Sequence, residues 1–230
     1  MKWYFFYTPN YYFYKNYLLE NLEDKFEKCP IEVNLNLYRG GDNHHFKNIP
    51  TKTQLIVDCI KENWGNTIIF TDATIFVSKE RNQQLKEYME EQSKLDMDMI
   101  FAAQSNERNI GLILIQCNKK TLKFWEDVTA TIIHSSETGG TAHDQPLVDS
   151  LLDKNEYPEI KTCFFDQKLI FCNWEMHEDV KHHFLVFKIT VSINTTFSRH
   201  SQRLAALCYS GLIPEFIIKD EWYKNQINDK

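Results

Sequence analysis

The chain has 230 residues, of which 43% are hydrophobic and 14% aromatic, and its formal net charge is −6. That length and apolar content exclude a disordered segment and suit one α/β domain with a sizeable core. The negative balance, with both signs interspersed, argues against a general nucleic-acid binder, which needs a positive footprint; any phosphate ligand must be held by a metal, a few local cations or helix amides.

In chain order, Lys2 to Tyr7 reads as a core strand, too short, too rich in tyrosine and too soon stopped by Pro9 and Asn10 to be a secretory signal. Tyr11 to Phe26 carries Tyr14, Leu18, Leu22 and Phe26 at helical spacing. Ile31 to Tyr38 alternates as a half-buried strand does, and Arg39 to Pro50, with Gly40-Gly41, reads as a loop. Thr51 to Asn63 is a predicted helix with Leu55, Ile56, Cys59 and Ile60 on one face. Thr67 to Thr71 is a short apolar strand that ends in Asp72. Lys79 to Lys94 reads as a charged surface helix, Met99 to Ala103 and Gly111 to Gln116 as strands, and Lys119 to His134 as a helix entered through Asn118. After Thr138-Gly139-Gly140-Thr141 the pattern changes to a short helix, Gln145 to Leu152, and strands near Thr162 to Phe165 and Leu169 to Phe171. This alternation predicts a layered αβα fold of Rossmann type with a mainly parallel central sheet. The organisation expected is one domain, with 1–138 as its core and 139–230 as a C-terminal subregion that closes over the sheet edge.

Several chemistries lack their signatures. There is no G-x-G-x-x-G, no P-loop, no G-x-S-x-G and no H-E-x-x-H. The six cysteines (29, 59, 117, 163, 172 and 208) form no C-x-x-C and read as reduced, mostly buried thiols. No run of about 18 apolar residues occurs, so no integral membrane segment is expected and a cytoplasmic location is the default.

The residues that can carry chemistry are few. Asp72 stands at the carboxyl end of a buried strand, where open α/β sheets bind their ligands, although a turn or helix-cap acid would look the same. Thr74 can add a hydroxyl to a cation at Asp72, since magnesium and manganese take oxygen ligands. Asn109-Ile110-Gly111 offers an amide and a close backbone approach ahead of an apolar run; a plain turn is the competing reading. Asp144 and Gln145 lie where a glycine loop enters a helix, and capping alone accounts for Asp144. His177, His182 and His183 lie in the tail, and adjacent histidines on a strand face opposite ways, so at most one of the last two serves one metal.

In order and spacing these pieces match a family. The chain resembles the nucleotide-diphospho-sugar transferases of GT-A fold over roughly residues 1 to 175. The anchors are the Thr51–Trp64 helix, the strand Ile68-Ile69-Phe70-Thr71-Asp72-Ala73-Thr74 in place of a D-x-D strand, Asn109-Ile110-Gly111, Thr121–Trp125, and the Asp144-Gln145 pair. The resemblance implies a nucleoside-diphosphate sugar donor, UDP-linked by first expectation, and a hydroxyl acceptor on a glycan, protein or small molecule, with no nucleic acid involved. It implies that Tyr7, Thr8 and Asn10 lie near base and ribose. Asp72 matches the first acid of the motif and Thr74 replaces the second. The resemblance also implies Mn2+ or Mg2+ at Asp72 with a late histidine, His182 or His183, and donor and acceptor contacts at Asn109, Gly111, Asp144 and Gln145. Lys52 and Arg39 are candidate cationic helpers for the leaving group, and Asp144 a candidate base. A non-catalytic nucleotide-sugar or glycan-binding module on the same fold is the alternative that Thr74 suggests.

Overall fold

A computed structural model describes residues 1–33, 44–105, 107–138, 143–173 and 184–189. Strands β1 (Lys2–Tyr7), β2 (Glu27–Glu32), β3 (Thr67–Asp72), β5 (Met99–Gln104), β6 (Glu107–Gln116) and β7 (Thr162–Phe164) form one sheet in the order β2-β1-β3-β6-β5-β7. Only β6 runs against the rest, pairing antiparallel with both β3 and β5. A smaller sheet joins β4 (Phe76–Val77), β8 (Ile170–Asn173) and β9 (Val186–Ile189) in the order β4-β9-β8.

The strands are apolar on both faces because both faces are covered. On one side, Trp3, Phe5 and Ile69 pack with Tyr14 and Leu18 of α1 (Tyr12–Asn21), with Leu85 and Met89 of α3 (Asn82–Gln92), and with the small sheet. On the other, Tyr4, Ile68 and Phe70 pack with Ile56 and Ile60 of α2 (His44–Glu62), with Phe124, Trp125 and Val128 of α4 (Lys119–Glu137), and with Val148 of α5 (Asp144–Asp153). The expected layered α/β architecture with a mainly parallel sheet is what forms.

Local departures from the sequence expectation have identifiable causes. The first helix stops at Asn21, not Phe26, and β2 begins at Glu27, not Ile31. Phe26 is drawn edge-on to Trp3, with ring centroids 5.0 Å apart, and Glu27 pairs with Lys2. Pro30 is tolerated because β2 is an edge strand; the remainder of that predicted strand, 34–38, lies outside the described residues. The second helix starts at His44, so part of the predicted loop is helical and Pro50 lies inside α2. Proline removes one intrahelical hydrogen bond, and here Thr53 Oγ1 donates to the Pro50 carbonyl at 3.2 Å. Strand β6 begins at Glu107, not Gly111, so Asn109 and Ile110 lie within it, and Ser105 at φ 57° marks the turn from β5.

Helix α4 illustrates how local chemistry sets an element. Asn118 Oδ1 accepts from the Lys120 and Thr121 amides at 2.9 and 3.1 Å, Thr121 Oγ1 accepts from the Asn118 amide, and Asn118 Nδ2 donates to Asp98 at 2.9 Å. Replacing Asn118 with Ala is expected to cost about 1–2 kcal/mol, the usual loss for an N-cap, read as a lower urea midpoint with unchanged m-value.

Candidate active site

Asp72 is delivered by β3. Its neighbours Ile69 and Phe70 are fully buried, and Thr71 Oγ1 accepts from Trp3 Nε1 at 3.0 Å, which fixes the strand against β1. The chain then turns, the Ile75 amide donating to the Asp72 carbonyl at 3.3 Å, and continues into β4. Phe76 on β4 stacks on Phe187 of β9, ring centroids 5.4 Å apart, and these two residues are also register partners. That contact seats β9 beside the strand end and carries Lys188 onto Asp72.

The result is a buried cluster of alternating charge. Lys188 Nζ donates to Asp72 Oδ2 at 2.5 Å and to Asn109 Oδ1 at 3.3 Å. Lys52 Nζ, from α2, lies 3.0 Å from Asp72 Oδ1 and 3.7 Å from Asp144 Oδ2. Burial by itself would raise the Asp72 carboxyl, but Lys188 and then Lys52 outweigh it and hold the group well below the usual carboxylate range. Burial likewise works to lower the Lys52 ammonium, and Asp72 and Asp144 outweigh it and raise it. Both groups are therefore ionised at neutral pH.

Asn109 and Gly111 of β6 complete the cluster. The β5–β6 register slips between Phe101 and Ala102, so that Phe101 faces Ile113 while Ala102 faces Asn109. Asn109 is held there by donating from Nδ2 to Gln104 Oε1, and its own Oδ1 accepts from the Gly111 amide at 2.8 Å. A Cβ on Gly111 would overlap Lys188 Nζ and stand 2.7 Å from both Asn109 Oδ1 and Asp72 Oδ2. The glycine is needed for close approach of these side chains, not for an unusual φ.

Beside this cluster, at the ends of β1 and β2, lies an aromatic edge. Phe6 is the register partner of Asp72, so Tyr7 marks the adjoining strand end. Tyr7 and Tyr12 both donate to Glu32 Oε2, at 3.1 and 2.9 Å, and Lys15 Nζ sits over both rings at 5.5 and 5.1 Å. Thr8 precedes the short turn Pro9–Tyr11 that holds Asn10, and its carbonyl accepts from the Tyr11 amide at 2.8 Å.

Of the site residues read from sequence, Asp72, Lys52, Asp144, Asn109 and Gly111 thus meet around one point. Asp144 is the first residue of α5, with its Oδ1 accepting from the Gln145 amide at 3.0 Å. Gln145 Nε2 reaches Glu107 at 3.2 Å, at the start of β6. Thr74 is buried in the turn after Asp72. Arg39, the 139–142 glycine loop, His177, His182 and His183 lie outside the described residues. Lys188 is the residue that sequence reading missed. Its signal was a lone lysine in the apolar run Phe184-Leu185-Val186-Phe187-Lys188-Ile189, since a buried ammonium requires a counter-charge.

The donor set bears on the expected divalent cation. Both Asp72 oxygens are engaged by ammonium groups, and Thr74 stands where the resemblance puts a second carboxylate. Among the described residues no group of three His, Cys, Asp or Glu side chains converges on a possible metal position. The described residues do not fit a divalent ion at Asp72 in this arrangement.

No protein-family model matches the chain, and no curated protein is significantly similar to it in sequence. The fold, by contrast, has clear likenesses among solved structures. A glycosyltransferase involved in the glycosylation of the major capsid of PBCV-1 superposes with a TM-score of 0.58 at 11% identity, covering 90% of this chain and 100% of the other. The galactosyltransferase LgtC, solved with donor and acceptor sugar analogues, gives 0.52 at 12% identity, over 94% and 98% of the two chains. The glycosyltransferase GlyE of Streptococcus pneumoniae TIGR4 gives 0.50 at 12% identity, over 98% of this chain and 63% of its own. The chain therefore has the GT-A glycosyltransferase fold. No helix among the described residues is long and apolar enough to cross a membrane.

Proposed function

We propose that this protein is a glycosyltransferase that moves a sugar from a nucleoside-diphosphate donor, UDP-linked by first expectation, to a hydroxyl of a glycan, protein or small molecule. The observation that carries the reading is the Asp72–Lys52–Asp144–Lys188 cluster of close ion pairs at the end of a central strand of a GT-A fold. Ligands of open α/β sheets bind at that end. The Tyr7–Tyr12–Glu32 edge is the place for base and ribose, with the exposed Tyr12 side chain and the Glu32 carboxylate to meet them.

In the reaction the bond from the anomeric carbon to the diphosphate oxygen breaks, and its electron pair leaves with the diphosphate. The acceptor oxygen forms the new bond to that carbon. Its proton passes to the Asp144 carboxylate if the configuration inverts, or to the departing diphosphate if it is retained. Developing charge on the leaving group calls for fixed positive charge, because preorganised electrostatic stabilisation usually lowers the barrier most in such sites. Lys52 is already placed to meet it, Asn109 holds Lys188 beside it, and Gln145 can hold a sugar hydroxyl. The manganese or magnesium version of this reading, with Asp72 and His182 as ligands, predicts that chelation abolishes donor binding.

The test is thermal unfolding against UDP, GDP, CDP and ADP, followed by turnover of the matching nucleotide sugars. A nucleotide at about 100 times its dissociation constant should stabilise the fold by about 2.7 kcal/mol, a rise of about 5–10 °C for a chain of this size. Binding with slow release of free nucleotide diphosphate from the sugar donor supports the transferase. Binding without any turnover identifies the non-catalytic module, and no binding at all removes the reading.

A further inference from the structure

We propose that Lys188 supplies the positive charge at the donor diphosphate, so that the site binds its nucleotide without a divalent cation. The inference rests on the transferase reading above and concerns the same strand end.

Three residues on two strands, β3 and β6, are fitted to the Lys188 ammonium. Asp72 on β3 accepts from it at 2.5 Å. Asn109 on β6 accepts from it at 3.3 Å, and is itself oriented by Gln104. Gly111 leaves the space that the ammonium fills, since the Cβ of any larger residue would overlap Nζ. A counter-ion, an oriented amide and the space left by a glycine thus converge on the terminal nitrogen of Lys188. The cost of burying an ammonium is large, and the fold bears it at a strand end where the proposed ligand is an anion.

The charge count agrees. Asp72 and Asp144 bring two negative charges, and Lys52 and Lys188 two positive ones. A divalent ion bound at Asp72 would have to displace both ammoniums from its oxygens and then sit beside them. An arriving diphosphate has no such conflict. Its oxygens can share the protons of Lys188 and Lys52, each of which carries three donors, while Asp72 continues to hold both side chains in place. Thr74, with a neutral hydroxyl in place of a second carboxylate, keeps the cluster free of the extra negative charge that a diphosphate would meet.

The experiment is calorimetric titration of the full chain with UDP, GDP, CDP and ADP, each in EDTA and in manganese, for the wild type and for Lys188→Met. For the nucleotide that binds, the wild-type dissociation constant is expected to agree within about threefold between the two conditions. Lys188→Met is expected to weaken that nucleotide about ten- to hundredfold, the usual size for a lost charge-assisted hydrogen bond, and to leave the affinity for the corresponding nucleoside unchanged. Wild-type binding that requires manganese overturns this inference and leaves the transferase reading standing. Equal nucleotide affinity of Lys188→Met and wild type in EDTA overturns it too, as does an equal loss for the nucleoside. No binding by the wild type in either condition ends both readings. Should Lys188→Met fail to fold, the wild-type comparison between EDTA and manganese still decides.

Discussion

Replacing Asp72 by Asn should be the most damaging single change at the site, for stability and for activity together. The carboxylate sits between two ammoniums whose side chains are only 10% and 8% exposed, and is itself 22% exposed. Removing its charge leaves Lys52 with the more distant Asp144, at 3.7 Å, and leaves Lys188, among the described residues, with neutral amide oxygens only. Breaking a buried pair in this way costs about 3–5 kcal/mol. For a chain of this length the melting temperature should fall by about 6–20 °C. The pH dependence follows from the directions of the shifts. The Asp72 carboxyl is held below its unfolded value, so its stabilisation is complete above about pH 4–5 and is lost as the pH falls towards the folded value. The Lys52 ammonium is held above its unfolded value, so its share is complete below about pH 10 and lost as the pH rises beyond that. The stability difference between wild type and Asp72→Asn should therefore be flat from about pH 5 to 9 and shrink below about pH 4. A difference that instead grew on acidification would show that Asp72 is not ionised in the folded protein. Transfer should drop about a hundredfold or more, as when fixed leaving-group stabilisation is lost.

Gly111→Ala should separate the site from the fold. The added methyl overlaps the Lys188 ammonium and meets the carboxylate and amide oxygens of Asp72 and Asn109 at 2.7 Å. Lys188 is the end of a flexible side chain and can retreat, whereas Asp72 and Asn109 are held by β3 and by the slipped register of β6. The expected outcome is a destabilisation of about 1–3 kcal/mol, the usual cost of overpacking, with a native circular dichroism spectrum. Nucleotide affinity should fall at least tenfold, because moving one charge-assisted donor off its acceptor forfeits an interaction of that size. Full nucleotide affinity in Gly111→Ala would mean that the donor diphosphate does not use this corner of the site.

Much of this arrangement is legible in the residues. The apolar runs at Lys2–Tyr7, Thr67–Asp72 and Met99–Gln104 are strands with nearly the predicted bounds, because runs buried on both faces of a sheet carry no competing period. The Asn118 cap placed the start of α4 to the residue, since capping is a local hydrogen-bond exchange, while the helix runs on to Glu137 and not His134. The strand-end acid could be picked out because a charge that terminates an apolar run is a local feature. The starts of α2 and of β6 were less legible. Pro50 and Ser105 each break a propensity rule locally, and packing against the sheet outweighs a cost of a few kcal/mol.

The sequence alone determined the layered α/β class, the mainly parallel sheet and the place of Asp72 at its strand end, because apolar periodicity and capping act over a few neighbouring residues. Only the tertiary structure decided what Asp72 faces. Lys52, Asn109, Asp144 and Lys188 are far apart in the chain, and they meet because ends of β3, β6, β9 and α5 and the middle of α2 come to one corner of the fold. The stacking of Phe187 on Phe76 turns a lone lysine in an apolar run into the counter-ion of the strand-end acid. A counter-ion is chosen by distance in space, and no local pattern encodes it.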